Sequence, residues 1–381
     1  MRNIKSRKPK IVFLIPRLGI TDRGTEVTAY ELAKGLGSDF KIEVWNRKSA
    51  SPSHMVRDLQ SQGIKIRSFS CIAEEHLLAR LFYFKPLKVL IDKFQLNPMQ
   101  IEMLTFSFAC LPRLLYSDFD VIFPCNGVWG AFVSRLVRVI RKNKFVYASH
   151  GGIEPAIALQ KPNLYVAIHR YSEKWLKKDF PDLNVVYISS GANLEDFSPK
   201  GAKIKLDLPR PIYLTVSALT SQKRVDLTIK AVAKLKKGSL LIIGDGPSKE
   251  ELGDLANKLL GEKRYRILGI DHKDIPKYYR SVDVFTHSAP QEKGWGLVHL
   301  EAIASGLPIV ANKEENLEEF LGKDGFLCDV EDTNDYSQAL EKAAKSKVNT
   351  RRPKLIEKVK RDHSWKIAAG RYREEILKLL E

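Results

Sequence analysis

Apolar residues fall in short unbroken runs along this chain. Each run gives way to a polar, glycine-bearing turn and then to a stretch where apolar positions return every third or fourth residue. Unbroken runs mark strands buried on both faces, and the second spacing marks helices packed over them. The first such unit is KIVFLIP (10–16), followed by the loop LGITDRGTEV and a helix with Ala29, Leu32, Ala33 and Leu36 on one face. The alternation predicts further strands at 41–45, 64–69, 121–123, 144–148, 165–168 and 185–188, with helices between them. It resumes with strands at 212–216, at LLIIG, at 282–285 and at 308–310. Parallel strands joined by helices make an α/β fold of doubly wound sheets.

Two stretches break the rhythm. Residues 76–116 are rich in Leu, Phe and Tyr, with Arg80, Lys85, Lys88, Lys93 and Arg113 interleaved. They read either as two core helices with solvated cations or as an amphipathic element resting on a lipid interface. Pro86 argues against a single straight helix there. The other break is PKGAKIKLDLPRP (199–211), whose proline and charge read as a linker. At 381 residues the chain is too long for one ordinary core. The expected domains are therefore 1–198 and 199–362, followed by a last helix in 363–381.

Charge is distributed unevenly. The net charge is +18, and residues 1–190 hold 29 basic and 16 acidic residues, a net of +13. A basic N-terminal half suits an anionic partner such as an acidic membrane surface, or serves only as a solubilising surface. No zinc-finger, RRM or KH signature supports nucleic acid. The four cysteines are widely spaced and form no ligand pattern, so buried thiols in a reducing compartment are expected. No signal peptide and no membrane span is expected, which points to a cytoplasmic protein, peripheral on the inner face of the membrane if the basic half meets lipid.

The richest chemistry lies in VDVFTHSAPQEKGWGLVHLEAIASGLPIVAN (282–312), a strand, loop, helix and strand. Gly294 and Gly296 flank Trp295 where the loop enters the helix, so backbone N–H groups there can face an anion. Glu301 lies about a turn further in, where a carboxylate can accept two hydroxyl protons from a ribose or simply stand in solvent.

This segment resembles the donor site of family 4 retaining glycosyltransferases of GT-B fold, whose motif is Glu, seven residues, Glu, then Ala-x-Ala-x-Gly-x-Pro. Gly294, Trp295, Gly296, Glu301, Ala302, Ala304, Gly306 and Pro308 stand in register. Lys293 occupies the position of the first Glu, with Glu292 one residue earlier, so either a bulge substitutes Glu292 or the role has changed. Other stretches extend the resemblance. Arg23, Gly24, Thr25 and Glu26 match the family's Gly-Gly-x-Glu loop near the donor phosphates, with Arg23 either adding positive charge or facing solvent. SHGGIEP places His150 where relatives keep a sugar-binding or orienting His. Gly191, Asn193 and Phe197 match the segment between the domains. SALTSQKRVDL keeps Lys223 of the family's Gly-Arg-Leu-x-x-x-Lys-Gly motif, while Ala218 replaces its Arg. The second positive charge then comes from Arg224, from Arg23, or from neither. GDGP, with Gly246, matches the Gly-x-Gly-Pro turn, and Gly269 and Ile270 fall where the nucleotide base is held.

The resemblance implies two doubly wound Rossmann-like domains facing a cleft, with the last helix folding back onto the first domain. It implies transfer of a hexosyl group from a UDP- or GDP-sugar to an acceptor hydroxyl of a glycan or lipid-linked acceptor in cell-envelope glycan, polysaccharide or glycolipid synthesis. His150, Lys223 and Glu301 are its catalytic candidates. Arg23, Gly24, Arg224, Gly246, Gly269, Ile270, Glu292, Lys293, Gly294, Trp295, Gly296 and Leu297 are its donor-binding candidates. The cations of these motifs can act in place of a metal, so neither a metal nor another cofactor is expected. The substitutions at Lys293 and Ala218 leave a second reading, a nucleotide-sugar-binding subunit without turnover.

Overall fold

The computed structural model describes residues 7–21, 23–49, 53–74, 98–125, 127–149, 153–289, 295–346 and 352–381. By its internal contacts the chain divides into two units, one made of residues 1–188 with 368–381, the other of 189–367.

The first unit holds a parallel sheet of seven strands: β1 (Lys10–Leu14), β2 (Lys41–Arg47), β3 (Lys65–Phe69), β4 (Val121–Pro124), β5 (Lys144–Ala148), β6 (Leu164–Ala167) and β7 (Val185–Tyr187). Their order is β3-β2-β1-β4-β5-β6-β7, with Val12 beside Glu43 on one flank and Ile122 on the other. On one face of the sheet Val12, Leu14 and Ile122 pack with Phe106, Cys110 and Leu114, and farther along the same face Phe145 and Tyr147 pack with Tyr165 and Leu176.

Within 76–116, the described part is one helix, Pro98–Tyr116, which buries Ile101, Met103, Phe106, Cys110 and Leu114. It is a core helix that carries Pro112 in its interior. Residues 76–97, with Arg80, Lys85, Lys88 and Lys93, lie outside the described residues. The helix Trp365–Leu380 brings the chain back into the first unit. There Tyr372 (2% exposed) meets the Phe123 ring at 6.0 Å, and Arg373 Nε pairs with Asp39 Oδ1 at 2.7 Å. A Cβ on Gly35 would lie 2.6 Å from that of Ala369, so this helix fits only against a glycine.

The second unit repeats the plan with six parallel strands: β8 (Ile212–Val216), β9 (Ser239–Ile243), β10 (Tyr265–Leu268), β11 (Val284–His287), β12 (Ile309–Asn312) and β13 (Phe326–Cys328), ordered β10-β9-β8-β11-β12-β13. Leu214, Val216, Leu241, Ile243 and Phe285 enter one core, and Tyr213, Leu240, Ile242 and Val284 enter the other. That alternation explains why the strands read as unbroken apolar runs.

The expected linker at 199–211 is anchored in the second unit. Ile204 N–H donates to Ser281 Oγ (2.7 Å), Arg210 pairs with Asp283, and Arg280 Nε donates to the Ala202 carbonyl (2.7 Å). Residues 189–198 belong to the same unit, since Ala192 N–H donates to the His363 carbonyl (2.8 Å). The division therefore falls at 188/189 and 367/368, not at 198/199 and 362/363. All four cysteines are free thiols, with Cys110, Cys125 and Cys328 buried. No helix among the described residues is long and apolar enough to cross a membrane.

Candidate active site

In the second sheet the strand order reverses between β8 and β11, and open α/β sheets bind ligands at the carboxyl ends of strands beside such a reversal. The loop after β8 carries Lys223 in a short turn (Ser221–Lys223) that leads into the helix Val225–Ala233. Ser288, just past β11, donates its hydroxyl to the carbonyls of Lys223 (3.2 Å) and Arg224 (2.8 Å), tying that loop to the neighbouring strand end. His287, 6% exposed at the tip of β11, has its pKa lowered to about 3 by burial and then by the Lys223 charge. Lys223 thus stands at the reversal beside an imidazole that stays neutral.

Arg224 follows directly in the chain. Its backbone is left-handed (φ 47°), and its guanidinium pairs with Asp226 Oδ1 at 3.0 Å and with Glu331 Oε1 at 3.5 Å.

The loop after β9 is pressed against the loop after β8. A Cβ on Gly244 would lie 1.9 Å from the Ser217 carbonyl oxygen, and one on Gly246 would lie 2.4 Å from that of Leu219. Leu219 N–H donates to the Asp245 carbonyl (2.9 Å), and Ser248 N–H donates to the Leu219 carbonyl (3.0 Å). Gly246 is therefore fixed by backbone packing. Beyond β10, Gly269 is exposed and Ile270 packs partly against the core.

The helix Leu297–Ala304 follows from its Leu, Ile and Ala content and stops at Gly306 (φ 81°), two residues before Pro308. Its first turn is capped from within: Gly296 N–H donates to His299 Nδ1 (3.1 Å), and His299 N–H donates to the Gly296 carbonyl (3.1 Å). The Gly296 N–H expected to face a ligand is thus taken up by a side chain. Trp295 is also turned inward, stacked on Phe320 at 4.5 Å and edge-on to His363 at 5.0 Å. Leu297 is half-buried at the helix start.

Glu301 is 5% exposed. Its Oε2 accepts from the Tyr279 hydroxyl (3.1 Å), and its Oε1 lies 3.4 Å from His272 Nε2. Burial, then the Glu301 charge, pushes the Tyr279 phenol well above its ordinary pKa, so it remains a donor. Tyr279 is fully buried whereas His272 is 19% exposed, so the carboxylate is held from the core side by the phenol, with the more exposed imidazole beside its other oxygen.

In the first unit, Arg23 and Gly24 are exposed where the helix Gly24–Leu36 begins, and Glu26 is buried one turn in. The same strand ends hold a charge cluster that sequence reading missed. Glu102 Oε1 lies 3.4 Å from Arg47 Nε and 3.7 Å from Arg17 Nε, and Glu102 Oε2 accepts from Glu74 N–H (2.8 Å). Such a cluster needs charges from three separated segments, which no local motif announces. His150, Glu292, Lys293 and Gly294 lie outside the described residues.

The family profile described as "Glycosyl transferases group 1" matches residues 197–362. That stretch holds Lys223, Gly246 and Glu301. The chain is 31% identical over 160 residues to the lipopolysaccharide core biosynthesis glycosyltransferase LpsE of Rhizobium meliloti (strain 1021), covering 41% of this chain and 46% of that one. It is 26% identical over 297 residues to the N-acetylgalactosamine-N,N'-diacetylbacillosaminyl-diphospho-undecaprenol 4-alpha-N-acetylgalactosaminyltransferase of Campylobacter jejuni, covering 69% of this chain and 79% of that one. The chain spans about half the length of several curated relatives that it matches. Among solved structures, Anabaena Alr3699/HepE in complex with UDP and glucose superposes with a TM-score of 0.73 at 17% identity, covering 97% of this chain and 99% of that one. The fold is GT-B, with two Rossmann-like α/β domains.

Proposed function

We propose that this chain is a retaining glycosyltransferase of family 4, moving a hexosyl group from a UDP- or GDP-sugar to an acceptor hydroxyl. The observation that carries the reading is the placement of Lys223 at the β8/β11 reversal in the same unit as Glu301, which is held by Tyr279 and His272. Lys223 meets the donor diphosphate. As the glycosidic C–O bond lengthens, negative charge grows on the leaving phosphate, and a fixed ammonium stabilises that state more than the ground state. Glu301 accepts hydroxyl protons from the ribose. The acceptor hydroxyl attacks the face the diphosphate leaves, and the departing phosphate takes its proton. Lys223 supplies the cation here, so the transfer is metal-independent. His150 orients the sugar.

The acceptor is a glycan or lipid-linked glycan of the cell envelope, a reading supported by the names of the Rhizobium and Campylobacter relatives. The protein works in the cytoplasm, on the inner face of the membrane, which its basic first unit contacts. Arg224, engaged by Asp226 and Glu331, favours one alternative, a nucleotide-sugar-binding protein without turnover.

Release of nucleotide diphosphate from a panel of UDP- and GDP-sugars, with and without an acceptor extract and with added chelator, tests these readings together. Acceptor-dependent, chelator-insensitive release supports transfer. Tight donor binding without release supports the alternative, and no donor binding defeats both.

A further inference from the structure

The four most exposed large apolar side chains among the described residues of the first unit gather at one rim of its sheet. Because β4, β5 and β6 are parallel neighbours, the turns that precede them lie side by side at their amino ends. Tyr116 (90% exposed) ends the helix before β4, Val139 (74%) and Ile140 (64%) lie near the end of the helix Gly127–Arg141 before β5, and Leu159 (60%) stands in the turn before β6. Three arginines of the middle helix stitch these turns together. Arg141 Nη2 donates to the Ser117 carbonyl (3.1 Å), Arg135 Nη1 donates to that of Leu159 (3.1 Å), and Arg138 Nη1 donates to that of Lys161.

The same rim is strongly basic. Residues 127–163 contain Arg135, Arg138, Arg141, Lys142, Lys144 and Lys161 and a single acidic residue, Glu154, which accepts from the Tyr147 hydroxyl. Two lysines there have left-handed backbones, Lys142 (φ 58°) and Lys161 (φ 51°), where glycine sits without strain. Burial, then the adjacent Arg135 charge, lowers the Arg138 pKa. Nearby Asp118 and Asp120 are paired with Lys10 and Arg7.

We propose that this amino-end rim docks on an anionic phospholipid surface, with Tyr116, Val139, Ile140 and Leu159 entering the interface and the cations meeting headgroup phosphates. Aliphatic tips at this exposure would find no use against a nucleic-acid backbone, whereas tips ringed by lysine and arginine suit a lipid interface. This deepens the membrane contact proposed above and keeps only Tyr116, the last residue, of the stretch 76–116. The loops at the carboxyl ends of the same strands lie on the opposite rim, roughly 15 Å away at ~3.3 Å per residue. Docking therefore leaves them clear of the bilayer, and an acceptor that reaches them stands off from the headgroups.

Flotation of the full chain with vesicles of phosphatidylcholine, alone or with about 30% phosphatidylglycerol, tests the proposal. The anionic vesicles should capture at least about tenfold more protein, an excess lost in about 0.5 M salt. Val139→Ser with Ile140→Ser should cut capture about tenfold at unchanged melting temperature. Lys142→Gly with Lys161→Gly should weaken capture without lowering the melting temperature, because the backbone strain goes with the charge. Equal capture by both vesicle types, absence of capture, variants that bind like the wild type, or a dimer that the Ser variants dissociate would each overturn it. Nucleotide binding is measured apart from flotation, so failure of the transferase reading leaves a distinct signature.

Discussion

The Tyr279 hydroxyl donates to Glu301 Oε2 at 3.1 Å from the buried side of that carboxylate, and the same hydroxyl lies 3.3 Å from the Val298 carbonyl oxygen. One phenol thus fixes both the acid and the helix that presents it. Tyr279→Phe should destabilise the fold by about 1–2 kcal/mol in urea unfolding and weaken nucleotide diphosphate binding roughly tenfold. Glu301→Gln, which keeps the shape and loses the charge, should weaken binding and leave stability nearly unchanged. A Tyr279→Phe protein that binds nucleotide like the wild type would sink the assignment of Glu301 to the ribose.

Lys223 and Arg224 are adjacent in sequence and differ in setting, Lys223 acting on the buried His287 and Arg224 pairing with Asp226 and Glu331. Lys223→Ala should lower turnover about 100-fold or more, and Lys223→Arg should recover part of it. Arg224→Ala should stay within about fivefold of the wild type, since that guanidinium is occupied by Asp226 and Glu331. Steady-state release of nucleotide diphosphate distinguishes them. Equal losses at both positions would mean that Arg224 leaves its acidic partners when donor binds.

His287 makes stability depend on pH. Its folded pKa of about 3 lies below the unfolded value near 6.5, so between them the unfolded chain binds more protons. The stabilisation is complete above pH ~6.5 and is lost as pH falls toward 3, by about 1.4 kcal/mol per pH unit. His287→Gln should show a smaller drop in melting temperature between pH 7 and pH 5 than the wild type. An identical drop would place the imidazole in a more solvated setting.

Gly246→Ala forces a Cβ to within 2.4 Å of the Leu219 carbonyl oxygen. A loss of about 2 kcal/mol or more is expected in denaturant titration, together with weaker donor binding, because the Lys223 loop is the part displaced.

Trp295→Ala should cost about 3–5 kcal/mol by opening a cavity against Phe320 and His363. Trp295→Phe should cost less. If Trp295→Ala instead melts like the wild type while losing nucleotide, the indole faces the ligand.

Much of this architecture was legible because unbroken runs such as KIVFLIP and IYLTV have one physical reading, a strand covered on both faces. The helix Arg352–Asp362 escaped notice because RPKLIEKVKRD shows mostly charge, and its apolar contribution is confined to residues such as Val359. Composition also misled at 199–211. Proline and lysine spoke of a linker, while Arg210, Arg280 and Ser281 anchor the segment through partners about seventy residues distant. At the candidate site, Lys223 and Glu301 were visible through the family resemblance, whose motifs stand at fixed spacing from the strands before them. His272, Tyr279, His287 and His299 were not, since each matters through a partner that only folding brings near. The inward turn of Trp295 was equally hidden, because a tryptophan between glycines looks the same in sequence whether it faces a ligand or a phenylalanine.

Tyr372 and Ile376, on the helix that closes the first unit, are almost wholly buried among residues made some 250 positions earlier or more, while residues 189–367 form a unit contiguous in sequence. On a ribosome, the lobe whose synthesis begins first must wait with part of its core open until the intervening lobe has emerged and folded. The half of the molecule that is made first is therefore the half that is finished last, and a nascent chain stalled before residue 368 would present one completed lobe and one with its seam unsealed.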